Sequence, residues 1–172
     1  MKVLTVDYRN PEAPAQFAES LKRTGFAVIR NHPLPQDLIA SVFADWKNYF
    51  ESGDKMADKF DAKTQAGYFP FKSENAKDSK VKDLKEFFHL FTETPLPASV
   101  PVRTKELYGK MTDFAIELLG WVQNNTPDAI RNEFSIPLTE MIQGSRETLL
   151  RPIHYPPLTG AEEEGAIRAA AH

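Results

Sequence analysis

The sequence predicts an α+β fold, with helices and short strands sharing one soluble domain. Three observations carry that expectation. Two long stretches, Leu38 to Phe50 and Leu107 to Val122, repeat apolar residues every three or four positions, as a helix with one buried face does. The runs "VLTV", "FAVI", "KEFFHLF" and "TLLRPIHY" are too short for independent helices. Hydrophobic residues make up 41% of 172 positions and charged residues 26%, enough apolar material for the core of an ordinary domain.

Taken in order, Val3 to Val6 is a β-type run closed by Asp7. Pro11 and Pro14 open a helix that carries Phe17, Ala18 and Leu21 on one side, and Gly25 suits its C-terminal cap. Phe26 to Ile29 reads as a buried strand, and Pro33 and Pro35 break it because proline cannot donate to a central ladder. The first long helix follows, with Val42, Phe43, Trp46, Tyr49 and Phe50 on its stripe, and Gly53 stops it. Between Glu51 and Glu86 the chain is charged and mixed in sign. The embedded "GYFPF" (Gly67 to Phe71) is too apolar for a free loop tip and should pack back on the body. Lys85 to Phe91 reads as a strand with aromatic residues on both faces. After the proline-punctuated "PLPASVP" comes the second long helix, ended by Asn124 and Asn125. Thr126, Pro127 and Asp128 resemble a helix start, with Thr126 as the N-cap. A further short helix is expected from Pro137 to Gln143. "TLLRPIHY" is strand-like, and Pro156-Pro157 forces a turn. The last segment, "AEEEGAIRAAAH", has helix-forming composition weakened by Gly165.

Composition excludes several function classes. The net charge is −3 with both signs interspersed, so no nucleic-acid footprint is present. With no cysteine there is no disulfide framework, thiolate metal site or Cys nucleophile. Asp7 and Arg9 stand where a signal peptide needs an apolar run, and no stretch is long enough to span a membrane, so a cytoplasmic protein is expected. The phosphate-loop, dinucleotide, HExxH and GxSxG motifs are absent. None of His32, His89, His154 and His172 lies four residues from another, and each taken alone reads as structural. The acidic run Glu162 to Glu164 reads as a solvated loop.

Four motifs taken together say more. "GFAVIRNHPLP" (Gly25 to Pro35), "YFESGDKMADKF" (Tyr49 to Phe60), "GYFPF" with "DLKEFF" (Asp83 to Phe88), and "LLRPIHYPPL" (Leu149 to Leu158) occur in the order and spacing of one family. The chain resembles the isopenicillin N synthase-like branch of the non-haem Fe(II)/2-oxoglutarate-dependent oxygenases. That resemblance implies a double-stranded β-helix (jelly roll) preceded by helices. Residues 1–147 would be the N-terminal region with two long helices, and 148–172 the first part of the jelly-roll core. It also implies Fe(II), with 2-oxoglutarate as co-substrate, and oxidation of an organic small molecule. His172 would fall on the first iron ligand of a His-x-Asp pair, at the end of a strand through "GAIRAAAH". Tyr155 would reach the co-substrate's carboxylate or the substrate.

Two neutral imidazoles and one carboxylate hold Fe(II) on one face and leave the other open. One histidine cannot do so, and the Asp, the distal His and the Arg-x-Ser pair are not in these 172 residues. The 172-residue chain by itself is therefore expected to be inactive. Two other readings stand beside this one: a non-catalytic remnant acting as a binding or interaction module, and a helical scaffold unrelated to the oxygenases.

Overall fold

In a computed structural model, which describes residues 2–74 and 81–169, the chain divides into two units. One comprises Met1–Ile39 and Lys105–Ser145, the other Ala40–Thr104 and Arg146–His172.

The elements follow from the sequence with shifted ends. They are β1 (Thr5–Asp7), α1 (Ala13–Thr24), β2 (Val28–Arg30), α2 (Gln36–Glu51), β3 (Gly67–Phe69), β4 (Glu86–His89), α3 (Arg103–Asn124), α4 (Asp128–Arg131) and β5 (Ile153–His154). Single 3-10 turns lie at Met56–Asp58 and Leu138–Met141.

In the first unit, β1 and β2 pair in parallel, Val6 opposite Ile29, with α1 as the crossover between them. Val6, Ala13 and Phe17 are buried together, with Leu21, Ile29, Leu118 and Trp121 packed against them. Gly25 ends α1 at φ 76°, and its N–H donates to the Leu21 carbonyl. Ser20, only 1% exposed, accepts from the Leu4 N–H at 3.0 Å and donates to the Phe26 carbonyl at 2.6 Å. It thereby ties the helix to the chain on either side. The "NHP" turn has a structural role as well. Asn31 sits at φ 57°, and its amide donates to both Asp7 oxygens at 3.0 Å. That bond, with the Arg9 backbone N–H, holds the Asp7 carboxyl below its ordinary value.

Thr126 does not cap α4. Its hydroxyl donates back to the Val122 carbonyl at 2.8 Å, and Pro127 takes the N-cap position without a side-chain bond. Local back-bonding to the end of α3 won over the cap.

In the second unit, β3, β4 and β5 form an antiparallel sheet in that order. Tyr68 lies opposite Phe88, Phe69 opposite Phe87, Phe87 opposite Ile153 and Glu86 opposite His154. The "GYFPF" excursion therefore does return, as a buried strand. One sheet face packs on α2: the Trp46 and Phe88 ring centroids are 5.2 Å apart, and Phe50 stacks on His154 at 5.5 Å. Arg103 grips Asp45 through two nitrogens, each 2.5 Å from a carboxylate oxygen. Gly67 is required where it stands: its φ is 113°, and a Cβ there would lie 2.8 Å from the Asp58 carbonyl oxygen.

The described part of the last segment, through Ala169, is neither helix nor strand. Gly165 at φ 83° breaks any right-handed helix, and the Ile167 carbonyl accepts from the Leu84 N–H at 2.8 Å. His172 lies outside the described residues.

Candidate functional site

The site is built on the sheet of the second unit, and strand alternation decides which side chains share a face. Glu86, Phe88 and Leu90 point one way along β4 and its continuation. Phe87, His89 and Phe91 point the other way. The pairing of Phe87 with Ile153, continued by the Leu90–Leu150 bridge, sets Arg151 opposite His89. Arg151, Ile153 and Tyr155 thus alternate along one edge of this second face.

The first face holds a buried polar cluster. Glu86 is 4% exposed and receives three donors. Lys55 Nζ lies 2.8 Å from Oε2, His154 Nδ1 donates to Oε1 at 2.8 Å, and the Tyr68 hydroxyl donates to Oε2. Burial alone would raise the Glu86 pKa, but these donors outweigh it and hold the carboxyl below its ordinary value. Tyr49 donates to Asp58 at 3.2 Å nearby. Burial pushes the Tyr49 and Tyr68 phenols well up, so both stay protonated as donors. The cluster thereby joins the loop after α2 to all three strands.

The second face is aromatic, with cations at its edge. Phe60, Phe69 and Phe87 stack in sequence at centroid distances of 4.1 and 4.6 Å. His89, 8% exposed, lies against Phe69 and Phe87 at 4.5 and 4.9 Å. Its Nδ1 donates to the Gln65 carbonyl at 3.0 Å, which leaves Nε2 as a bare acceptor. Among the described residues Nε2 has no hydrogen-bond partner. Burial, aided by the charge of Arg151, lowers the His89 pKa and keeps the ring neutral. The Arg151 guanidinium lies 5.0 Å from the Phe87 centroid. Where Phe91 continues the alternation, a cavity of about 570 Å³ opens, lined by Thr64, Ala66, Phe91, Glu93, Arg146 and Glu147 among others.

Of the residues the sequence singled out, Tyr155 stands at the rim of this face. It is 38% exposed, and its phenol makes no hydrogen bond among the described residues. His172 lies outside the described residues. Among the described residues no group of three or more His, Asp or Glu could hold a metal ion. No described helix is long and apolar enough to cross a membrane. Sequence reasoning gave Arg151 and Glu86 no role and read His89 as structural. The first was legible, since Arg151 and Tyr155 are four apart in a strand and so share a face. The partners of the other two come from pairings distant in sequence.

Comparison with known proteins places the chain in a family. Residues 5–111 match the family model of the non-haem dioxygenase in morphine synthesis N-terminal region. No curated protein matches. A provisionally assigned oxygenase from Shewanella oneidensis is 45% identical, with a TM-score of 0.87, over 100% of this chain and 62% of its own. A provisionally assigned 2-oxoglutarate–Fe(II) oxygenase family protein from Caulobacter crescentus shares the fold at 22% identity and TM-score 0.70, over 95% of this chain and 59% of its own. So does a full-length Neurospora crassa protein solved with alpha-KG, at 18% identity and TM-score 0.74, over 98% of this chain and 59% of its own. The chain therefore spans about three-fifths of the length of these structures. By the family model, which matches well over half of it, the chain belongs to the non-haem dioxygenase N-terminal family.

Proposed function

We propose that this chain is the N-terminal portion of an Fe(II)- and 2-oxoglutarate-dependent oxygenase that oxidises an organic small molecule in the cytoplasm. The observation that carries the reading is the family match over residues 5–111, supported by 45% identity to an oxygenase-assigned structure along the full chain. In this reading residues 1–147 are the helical support and 148–172 begin the jelly-roll core. When bound, Fe(II) with 2-oxoglutarate supplies the oxidising chemistry.

His172 is proposed as a metal ligand, and Tyr155 as the donor that reaches the co-substrate. The described residues do not by themselves fit a metal ion, so no metal chemistry is assigned to them. What they fit is support and binding. Glu86 fixes His154 from one side of the sheet and so fixes the strand that carries Tyr155. An exposed phenol with a free hydroxyl can donate to a carboxylate at neutral pH, and such charge-assisted bonds are the strong ones.

The test is turnover by the polypeptide translated from the whole reading frame. With Fe(II), O₂ and 2-oxoglutarate it should release succinate, and His172→Ala should abolish that release. Retained turnover in His172→Ala removes the ligand assignment. No turnover across a broad substrate panel, with no metal bound, removes the enzyme reading.

A further inference from the structure

On the aromatic sheet face, Arg151 is a cation over the central Phe87 ring with no carboxylate partner among the described residues. Lys85 also lies over the Phe87 ring, at 5.9 Å, but it is neutralised by Asp83 at 2.7 Å and approached by Glu74 at 4.0 Å. Arg103, Arg30 and Arg131 each have a carboxylate partner. Arg151 has no hydrogen bond or ion pair among the described residues, yet it is not loose. Its guanidinium is laid over Phe87, a ring with no exposed surface, at a separation typical of cation–π contact. Beside it is His89, neutral and so neither repelling nor neutralising an anion. A cation–π contact uses none of the guanidinium's N–H donors, and those donors match a carboxylate in bidentate fashion.

We propose that Arg151, held across Phe87 beside the buried His89, recognises a carboxylate group on the small molecule that binds this sheet face. The proposal rests on the reading of this face as ligand-bearing, and it adds the chemical class. Register limits the size. Phe87 pairs with Ile153, so the guanidinium leans from position 151 toward the level of 153. The Tyr155 position is then one alternation away, about 7 Å along the strand. That gap suits a molecule of a few carbons with its carboxylate on Arg151 and a second polar group at the Tyr155 hydroxyl. Both a substrate acid and 2-oxoglutarate have that chemistry.

The 172-residue chain itself is the sample, without iron. Its arginine Nε–H signals would be followed by NMR while 2-oxoglutarate, butyrate or butyramide is added. Both acids should move the Arg151 Nε–H and the Phe87 and Ile153 amides saturably in the millimolar range, as one charge-assisted contact allows. Butyramide should not. A shift with butyrate marks a site for acids in general, and a shift with 2-oxoglutarate alone assigns the carboxylate to the co-substrate. Arg151→Gln should weaken binding at least tenfold and Arg151→Lys by less, with Trp46 fluorescence unchanged in both. No saturable shift at Arg151 with either acid, or equal binding by Arg151→Gln, overturns the proposal. Because no turnover is measured, that failure is distinct from a failure of the oxygenase reading, which is decided by succinate release.

Discussion

Replacing Glu86 by Gln preserves the shape of the side chain and removes its charge. The carboxylate receives Lys55, Tyr68 and His154 at once. An amide offers one oxygen and one NH₂ in the same space. If the oxygen stays toward His154, the NH₂ meets Lys55 and Tyr68. The tyrosine hydroxyl can turn to accept, but an ammonium cannot. Lys55 is then left with the Phe50 carbonyl and a side chain only 17% exposed. Breaking a buried ion pair by removing one partner costs about 3–5 kcal/mol, and the surviving Phe50 bond reduces that to roughly 2–4 kcal/mol. For a chain of this size the midpoint should fall by about 5–15 °C. Trp46 reports on the loss, since it packs against Phe88 on the face that holds Glu86. Urea unfolding followed by Trp46 fluorescence in a Trp121→Phe background gives the difference directly.

The same pair of proteins gives a pH signature. The folded Glu86 pKa lies below its ordinary value of 4.5. Its contribution is therefore fully present above pH 4.5 and is lost as the pH falls through the folded value. The gap between wild type and Glu86→Gln should be widest near neutrality and close in acid. A gap under about 0.5 kcal/mol at pH 7, the usual scatter of surface changes, would refute the reasoning. So would a gap that does not shrink in acid.

Three further outcomes are expected. Ser20→Ala takes the acceptor from the Leu4 N–H and leaves the Phe26 carbonyl with the Thr24 hydroxyl alone, so it should cost about 0.5–1.5 kcal/mol, read from Trp121 fluorescence in a Trp46→Phe background. Gly67→Ala should cost more than about 3 kcal/mol, because strain at φ 113° adds to a 2.8 Å collision with backbone; circular dichroism of the purified variant checks it. His89 has a folded pKa below its ordinary 6.5, so the unfolded chain takes up its proton first and stability should fall as the pH drops below 6.5. His89→Gln should flatten the stability profile between pH 7 and 5 in urea titrations.

The legible parts of the fold are those where one local pattern suffices. The stripe from Leu38 to Phe50 gave α2 within two residues at its start and one at its end, because a wide apolar face has one period that fits. Gly25 gave the end of α1, because a left-handed cap admits little else. The ends of β1, β2 and β4 were off by one or two residues, while "TLLRPIHY" shortens to Ile153–His154. β1 includes Asp7 and β2 includes Arg30, polar residues whose backbone joins the ladder while their side chains pair outside it. Thr126 was misassigned because a hydroxyl at a helix junction can cap forward or bond backward, and only tertiary context chooses. The helical composition after Ala161 was defeated by Gly165 and by a single long-range bond from Leu84.

For the site, sequence reached Tyr155 through a motif but not the company it keeps. Glu86 sits 68 residues from His154 and 31 from Lys55, separations over which no sequence period operates. What brings them together is the two-residue period of β4 and β5, which sends odd and even positions to opposite sides. One side of Glu86–His89 must be buried against α2, and a buried carboxylate survives there only with every lone pair used. The cost of assembling those donors is repaid in a strand whose orientation is fixed. A fixed strand in turn fixes the face that carries Arg151, Ile153 and Tyr155. Rigidity on the helix side and exposure of Ile153 and Tyr155 at the edge of the other face are thus one consequence of a single register. A one-residue slip of β5 against β4 would move His154 to the second face and turn Ile153 and Tyr155 toward the side of the Glu86 carboxylate. Such a slip would strand the carboxylate charge and take Ile153 and Tyr155 off the second face in the same step. The Glu86 cluster therefore guards against that slip more strongly than its net contribution to stability implies.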